Sequence, residues 1–389
     1  MRKNFGKIML SALMSISLLC GCTRDFSGNG GYGGGNSGSQ TQSSSDSNSQ
    51  DSSDSGANSE SSDSKTDSTV SSDPGFIEVP VDTAKTPVSA HGQLSVKGTN
   101  LVDKNGNPYQ LRGMSTHGLT WFPAFVNEQA FLTLRDDWNT NVVRLAMYVD
   151  EWNNGQCYMN NKQGSRELLE KGVELCIKLD MYAIIDWHVL NPGDPLKYTN
   201  EAIAFFDSIS KKYADSPNVI YEICNEPNSG ASWNGSVKPY AEQVIPVIRK
   251  NDPDAVIIVG TPTWSQDIHE ALANPLSFDN VMYALHFYAD THRDDLRNRL
   301  QSCVNGGLPV FVSEFGCCDA SGGGGNNFTE TEKWLSLLDS LKISYCNWAL
   351  ADKNETCCAV TGSGGANGNW SDSQLSESGR WIRNWFKNH

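Results

Sequence analysis

The feature that most constrains the fold is a repeated alternation of short apolar runs with amphipathic segments from Ser95 to the end of the chain. The apolar runs are strand candidates at residues 110–116, 141–148, 181–188, 218–225, 255–261, 280–287, 308–314 and 343–350. Helical spacing is found at residues 128–138, 165–179, 200–214, 236–250, 293–304, 328–341 and 376–387. Eight strands separated by helices predict an α/β fold, a parallel sheet closed into a single (β/α)8 TIM barrel.

The strand candidates are apolar along most of their length, as expected for a parallel sheet covered on both faces. An open, doubly wound sheet is the alternative. No Gly-x-Gly-x-x-Gly follows the first strand, which disfavours a dinucleotide-binding version of that fold. Two runs on either side of residues 103–107, which contain Asn105-Gly106, predict an N-terminal β-hairpin before the barrel.

The first 21 residues are expected to be a signal peptide. Basic residues precede an apolar run at residues 8–19, which is too short to span a bilayer. The following Leu-Cys-Gly-Cys resembles the lipobox of bacterial lipoproteins and predicts lipidation of Cys22. An ordinary signal peptide that ends in cysteines is the alternative. We therefore expect a secreted bacterial protein at the cell surface or outer membrane, attached to a membrane only through this lipid.

Residues 22–90 are expected to form a disordered tether, because a stretch rich in Ser, Gly and Asp buries too little apolar surface to offset the entropy of ordering. Residues 91–389 then form one barrel domain. The net charge of −15 argues against a nucleic-acid partner, since phosphates require clustered Lys and Arg, and we expect none. We expect a monomer.

Nine cysteines follow the N-terminal region, and two adjacent pairs stand out, Cys317-Cys318 and Cys357-Cys358. Neither pair has the spacing of a zinc site, and two adjacent thiols do not easily reach one ion, so we expect no metal. No cofactor is expected either. Secretion would permit a disulfide between the two loops, but the sequence does not reveal the pairing.

Two glutamates stand at the ends of apolar strands. Glu226 closes the run from residue 219, and Glu314 closes the run from residue 309. An unpaired buried carboxylate is costly, and parallel barrel strands converge at their carboxyl ends, so the two side chains can meet there. Two facing carboxylates are the machinery of glycoside hydrolysis. Two salt-bridged carboxylates on a rim are the alternative.

Polar or aromatic side chains also stand at nearly all of the remaining predicted strand ends. They are His117, Trp121, Arg144, Tyr148, Trp187, His188, Asn225, Trp264, His286, Tyr288 and Trp348. A barrel rim with only a packing role would not need hydrogen-bond donors, aromatic rings and carboxylates together. The Trp side chains offer flat apolar faces to sugar rings.

Each polar group at these ends has a physical task. Glu226 is the candidate acid/base and must be protonated near neutral pH. Glu314 is the candidate nucleophile and must be ionised, which Arg144 can ensure by its charge and Tyr288 by donating a hydrogen bond. Asn225 could bind the sugar 2-hydroxyl. Both His188 and His286 could donate to the substrate or tune the carboxyl pKa values.

Together these motifs resemble glycoside hydrolase family five, clan A, and its bacterial endo-β-1,4-glucanase branch, subfamily two. The resemblance covers about residues 92–387, in family order. Its motifs are Val143-Arg144-Leu145-Ala146-Met147-Tyr148, Asp186-Trp187-His188, Asn225-Glu226-Pro227, His286-Phe287-Tyr288, Ser313-Glu314-Phe315-Gly316 and Asn347-Trp348. The doubled cysteines depart from the family pattern, which has small or polar residues there.

The resemblance implies a retaining endo-β-1,4-glucanase with Glu226 as acid/base and Glu314 as nucleophile. It implies a supporting shell of Arg144, His188, Asn225, His286 and Tyr288. It also implies substrate-binding roles for His117, Trp121, Tyr148, Trp264, Trp348, Lys353 and Glu355.

The implied substrate is a β-glucan polysaccharide such as cellulose, carboxymethylcellulose or mixed-linkage glucan. A mannanase or xyloglucanase on the same barrel is one alternative, since a barrel hosts many substrates. A non-catalytic surface glycan-binding lipoprotein is another, although a binder would need only the aromatic residues.

Overall fold

Eight parallel strands form a closed barrel in the computed structural model, which describes residues 85–151 and 154–389. A two-stranded antiparallel sheet precedes it. The strands are β1 Ser95–Lys97, β2 Asn100–Val102, β3 Arg112–Thr116, β4 Val142–Tyr148, β5 Tyr182–His188, β6 Val219–Glu222, β7 Val256–Val259, β8 Val281–Tyr288, β9 Val310–Gly316 and β10 Tyr345–Leu350. The barrel order is β10-β3-β4-β5-β6-β7-β8-β9, so the predicted (β/α)8 architecture is confirmed.

Helices connect the strands and pack around the barrel. They are α1 Pro87–His91, α2 Glu128–Asp136, α3 Lys162–Lys178, α4 Thr199–Lys212, α5 Lys238–Asn251, α6 Pro262–Ser265, α7 Ile268–Ala273, α8 Asp294–Asn305, α9 Phe328–Leu341 and α10 Glu377–Asn388. Each of the seven predicted helices is present, with ends shifted by up to three residues. Among the described residues, no helix is long and apolar enough to cross a membrane.

Alternation along each strand divides the side chains between two environments. On β4, Val143, Leu145 and Met147 join the apolar layer between strands and helices. Val142 instead joins the barrel interior, and Arg144 lies two residues further along the same face. Apolar side chains therefore fill the barrel interior near the amino ends of the strands, which we call its lower end. Polar side chains follow them toward the carboxyl ends.

The N-terminal hairpin packs against the lower end of the barrel. Leu94 and Leu101 are buried in one cluster with the interior residues Val142, Tyr182 and Ile258. The helix α1 adds its buried Val88 to the same cluster. This apolar contact covers the end of the barrel opposite the strand carboxyl ends.

The turn of the hairpin differs from the one that the sequence favoured. The ladder pairs Ser95 with Val102 around Gly98, whose φ of 62° suits a tight turn. Across Asn105-Gly106 there is only the isolated bridge between Val102 and Pro108. Asp103 explains the difference, because its carboxylate accepts from the backbone N–H groups of residues 105 and 107 and turns the chain into a compact loop.

Candidate active site

The two candidate glutamates face each other at the carboxyl end of the barrel. Glu226 follows the end of β6 by four residues, and Glu314 lies on β9. One carboxylate oxygen of each lies within 4.8 Å of the other and of a ring nitrogen of His286. Both side chains are buried, with relative exposures of 8% and 4%. Residues 88 positions apart in sequence thus form one compact pair.

A register shift on β9 aims Glu314 into the barrel. Ala284 of β8 pairs with Phe311, whereas His286, two residues later, pairs with Glu314, three residues later. The extra residue is a β-bulge, which commonly re-aims a side chain beside an active site. As a result both Ser313 and Glu314 contact interior groups, although neighbouring residues on a regular strand point to opposite faces.

Each oxygen of Glu314 accepts a hydrogen bond from a different donor. The Tyr288 hydroxyl donates to Oε1 at 2.8 Å, and Arg144 Nη1 donates to Oε2 at 3.1 Å. Both interactions favour the ionised carboxylate. Glu314 is therefore arranged to carry negative charge.

Arg144 is fully buried and joins four barrel strands or strand ends. Its Nε donates to Glu222 at 2.7 Å, and its Nη2 lies 3.0 Å from Asp186 and donates to Asn225 at 2.6 Å. With the contact to Glu314, one guanidinium lies among three carboxylates. A buried charge of this kind requires such pairing, because an uncompensated ion in the interior is costly.

The Glu226 carboxyl meets His286, whose Nδ1 lies 2.8 Å from its Oε1. On the other side of the ring, Nε2 lies 2.9 Å from the Ser313 hydroxyl, which itself donates to Glu222 at 2.7 Å. Since Ser313 uses its proton on Glu222, it must accept from His286 Nε2–H.

A neutral His286 with its proton on Nε2 leaves Nδ1 as an acceptor. Burial lowers the pKa of His286 to about 4, so the ring is neutral at neutral pH. The group that donates to Nδ1 is then Glu226 in its protonated form. The hydrogen-bond chain from Glu222 through Ser313 and His286 thus favours a proton on Glu226.

Burial raises the pKa of both carboxyls, and that of Glu226 ends higher. Burial raises the pKa of Glu226 to about 8, with further contributions from the charges of Asp186 and Glu222. Burial and the facing Glu226 raise the pKa of Glu314 to about 7, against the opposing effects of His286, Arg144 and Tyr288. The higher pKa of Glu226 favours the proton on that carboxyl and the charge on Glu314.

A second polar chain runs beside the pair. His188 Nδ1 donates to Asp186 at 2.6 Å, and Asn225 Nδ2 donates to His188 Nε2 at 3.2 Å. Burial lowers the pKa of His188 well below its usual value, so the ring is neutral. The Asn225 side chain is oriented at both ends, because its Oδ1 accepts from Arg144.

Aromatic side chains form one wall of the site. The ring centroid of Tyr148 lies 4.1 Å from that of His188 and 4.3 Å from that of Trp121. Trp348 lies 5.4 Å from His188 and 5.0 Å from His117. These five rings are continuous with the charged centre through His188.

The remaining predicted residues lie at the edges of this site. Lys353 Nζ is 3.5 Å from His117 Nε2 and pairs with Glu355. Trp264 is 48% exposed, the one large hydrophobic side chain classed as exposed in the described part of the chain. Its backbone N–H donates to the carbonyl of Pro227, next to Glu226.

One residue named from the strand ends lies elsewhere. Trp187 points outward and packs against Phe205 and Tyr158 between the barrel and the helices, because it is offset by one residue from the inward-facing His188. Cys22 lies outside the described residues. The sequence reasoning assigned no role to Asp186, Glu222 and Ser313. The period of two along a strand could have identified the first two. It places Asp186 on the same inward face as His188, and Glu222 on the same inward face as Ile220.

All nine described cysteines are free thiols and buried, so the cross-loop disulfide considered from the sequence is not present in the structure. Cys176, Cys224 and Cys346 are small core residues, as the sequence suggested. The loop cysteines Cys318, Cys357 and Cys358 instead pack beside the aromatic wall.

The chain matches the family described as Cellulase (glycosyl hydrolase family 5) over residues 102–354. An endoglucanase of Clostridium saccharobutylicum is 46% identical over 292 residues, which cover 75% of this chain and 64% of the relative. Endoglucanase 5 of Pectobacterium carotovorum subsp. carotovorum is 46% identical over 298 residues, which cover 77% of this chain and 58% of the relative. The match thus spans less than two thirds of either relative.

Solved structures agree with this assignment. The catalytic domain of a Thermobifida fusca endoglucanase has a TM-score of 0.74 and 41% identity, covering 78% of this chain and 99% of that domain. A second structure of that domain contains cellotetraose. The fold and these matches identify a member of a family of barrel glycosidases. The chain belongs to glycosyl hydrolase family 5.

Proposed function

We propose that the protein is a retaining endo-β-1,4-glucanase, a cellulase that hydrolyses internal β-1,4-glucosidic bonds. The observation that carries the proposal is the close and unequal pair of Glu226 and Glu314. Retaining glycosidases hold their two carboxyl groups about 5–5.5 Å apart, and inverting ones about 6.5–9.5 Å apart, to leave room for a water. Oxygens within 4.8 Å of each other favour the retaining arrangement.

Double displacement assigns a separate task to each carboxyl. Glu226 donates its proton to the leaving-group oxygen while Glu314 attacks the anomeric carbon, which yields a covalent glycosyl-enzyme and a free chain end. Glu226, now ionised, then removes a proton from water as that water attacks the same carbon. This step releases Glu314 and returns the proton to Glu226.

The surrounding residues support both steps. Arg144 and Tyr288 hold Glu314 ionised through the two hydrogen bonds it accepts. In the resting site His286 Nδ1 accepts a hydrogen bond from the protonated Glu226, and the ring stays neutral. Asn225, held by Arg144, is placed beside Glu226 to bind the sugar 2-hydroxyl.

The substrate we propose is a β-glucan: cellulose, carboxymethylcellulose or mixed-linkage glucan. The names of the relatives and the cellotetraose complex of the Thermobifida domain support this class. Flat rings suit the apolar faces of glucose units, and we assign sugar contacts to His117, Trp121, Tyr148, Trp264 and Trp348. Lys353 and Glu355, beside His117, would bind hydroxyls near the glycone end. We place the chain in subfamily two on its motifs.

We further propose a secreted bacterial lipoprotein at the cell surface or outer membrane. In this arrangement residues 1–21 are removed, Cys22 is acylated, residues 22–90 form the tether and residues 91–389 form the catalytic domain. The lipobox-like residues 19–22 and the polar tract support this organisation. We expect the enzyme to act as a monomer.

The test compares reducing-sugar release and viscosity on carboxymethylcellulose, mannan and xyloglucan. We expect the wild type to act fastest on carboxymethylcellulose, with viscosity falling early because internal bonds break. Glu314→Gln should be inactive, while Glu332→Gln, on an exposed face of α9, should match the wild type. A preference for mannan or xyloglucan would show that the proposed β-glucan substrate is wrong. Binding to the glucan without hydrolysis would identify a glycan-binding protein instead.

A further inference from the structure

Three thiols and a carboxylate meet between two loops at the edge of the barrel mouth. We call Cys318, Glu355, Cys357 and Cys358 the thiol cluster. Cys318 follows β9 and the other three follow β10, so the cluster lies where the nucleophile strand and the Trp348 strand end. The glucanase mechanism uses none of the three thiols.

The ligand atoms of the cluster are close together. The Sγ atoms of Cys357 and Cys358 and a carboxylate oxygen of Glu355 all lie within 4.8 Å of one another. The Cys318 thiol approaches from the facing loop and hydrogen-bonds Cys357. All three cysteines are buried, with relative exposures of 1% or less. Adjacent cysteines, which the sequence made improbable ligands of one ion, therefore do point to one place.

Backbone hydrogen bonds hold the two loops in this position. Cys357 N–H donates to the carbonyl of Gly322 at 3.0 Å, and Ala349 N–H donates to the carbonyl of Cys357 at 3.1 Å. A Cβ at Gly322 would lie only 3.3 Å from Cys357 Sγ, so the chain passes directly over the sulfur. The backbone of Cys357 is thus fixed against both loops, and its sulfur lies under the chain at Gly322.

We propose that the thiol cluster binds one thiophilic divalent cation of the zinc class. Thiolate sulfur is the preferred ligand of d10 cations, at about 2.3 Å from zinc, and three sulfurs with one carboxylate complete a tetrahedron. The Sγ atoms of Cys357 and Cys358 and an oxygen of Glu355, all within 4.8 Å of one another, can share one ion, and Cys318 completes the set from the facing loop.

Cation binding at the thiol cluster exchanges protons for the metal ion. The cation replaces the thiol protons of Cys318 and Cys358, and that of Cys357 where it is present, and these protons pass to solvent. No oxidant or reductant takes part.

Binding would also alter the neighbouring charged pair. Glu355 pairs with Lys353 at 2.5 Å, and Lys353 Nζ lies 3.5 Å from His117. A cation that takes the Glu355 carboxylate leaves Lys353 free to contact the substrate. The ion therefore connects the two loops and adjusts one edge of the sugar-binding site.

The test uses the full chain, fully reduced and free of metal, titrated with Cd²⁺ and followed by thiolate-to-cadmium absorption in the ultraviolet. We expect saturation at one equivalent and displacement by Zn²⁺. Loss of an outer-shell partner weakens metal sites by about 10–100-fold, so loss of a direct ligand in Cys357→Ser should cost more than about 100-fold. Cys303→Ser, which removes a buried thiol on α8 remote from the cluster, is the matched control and should bind like the wild type.

A second variant keeps the proposal testable if Cys357→Ser does not fold. Glu355→Gln changes only a partly exposed side chain and should weaken Cd²⁺ binding while leaving the three thiols in place. If Cd²⁺ gave no thiolate-to-cadmium absorption with the reduced wild type, the proposal would be overturned. Equal affinity of Cys357→Ser and Cys303→Ser, or unchanged affinity in Glu355→Gln, would overturn the assigned ligands.

Discussion

Glu226 and Glu314 are the same residue type in one buried site, yet their hydrogen bonds differ. Glu314 accepts from two donors, whereas Glu226 meets an acceptor nitrogen of a neutral histidine. Donors stabilise a carboxylate and acceptors stabilise a carboxylic acid. These partners support the proposed division of labour, with Glu226 as acid and Glu314 as nucleophile.

This division predicts a bell-shaped pH dependence of kcat/KM on a cello-oligosaccharide. Activity should fall as pH drops through the Glu314 pKa of about 7, because the protonated nucleophile cannot attack. It should also fall as pH rises through the Glu226 pKa of about 8, because the acid is then ionised. A profile that is flat across both values would contradict the assignment of these roles.

Tyr288→Phe tests the acidic limb of that profile. Losing the hydroxyl that donates to Glu314 destabilises the ionised nucleophile, so its pKa should rise and the acidic limb should move to higher pH. The alkaline limb should stay in place. Tyr213→Phe, which removes a phenol bound to Glu174 on a helix, is the matched control and should leave both limbs unchanged. An unshifted acidic limb in Tyr288→Phe would show that the hydroxyl does not tune Glu314.

At the scale of elements, the strands could be predicted because each is a nearly unbroken apolar run ended by a polar or aromatic residue. The ends of β5, β8 and β9 thus indicated His188, His286 and Glu314. What the sequence could not reveal depends on register. The β9 bulge brings Ser313 inward beside Glu314, and no local pattern announces the extra residue. The outward direction of Trp187 also depends on register, because a shift of one position along a strand moves a side chain to the opposite face of the sheet.

The short segment α6 presents Trp264 through an unusual backbone. Thr263, Trp264 and Ser265 all have φ between 53° and 58°, in the left-handed region that non-glycine residues seldom adopt. Such residues cost about 1–3 kcal/mol each and persist where surrounding contacts hold them. Here the Ser265 hydroxyl donates to the carbonyl of Asn225, which ties the segment to the strand end that carries Glu226.

Trp264→Ala should therefore weaken binding on the leaving-group side of the cleavage point. Because α6 is tied to the Glu226 side of the site, we expect kcat/KM on cellohexaose to fall about two- to tenfold, in line with roughly 0.5–1.5 kcal/mol for an aromatic contact. An aryl cellobioside, which lacks glucose units on that side, should be affected much less. Trp264→Phe, which keeps a flat ring, should restore most of the loss. Equal losses on both substrates would place Trp264 elsewhere along the glucan.

At the scale of the whole molecule, the barrel is closed by its own residues. Strands pair around the full circle, and the hairpin covers the lower end. All the described site residues therefore belong to one closed barrel unit. The N-terminal region has a separate role in our proposal, which is to position this unit at a surface.

Cys22→Ser tests that role in the native host. Without the acylated cysteine the tether has no anchor, so active enzyme should appear in the medium with unchanged specific activity. Cys20→Ser, two residues away, is the matched control and should remain with the membrane fraction. Membrane retention of Cys22→Ser would rule out the lipobox interpretation. The assay is cellulase activity in fractionated cultures.

The most direct test of the double-displacement account is azide rescue of Glu226→Gln with an aryl β-cellobioside whose leaving group needs no proton. The glycosyl-enzyme should form but accumulate, because its hydrolysis lacks the general base, which is worth about 10²–10⁴-fold. Azide needs no proton removed, so it should restore turnover and yield the β-glycosyl azide, while Glu314→Gln stays inactive on this substrate. An α-glycosyl azide from Glu226→Gln, or rescue only in Glu314→Gln, would contradict the roles assigned to the two carboxyls.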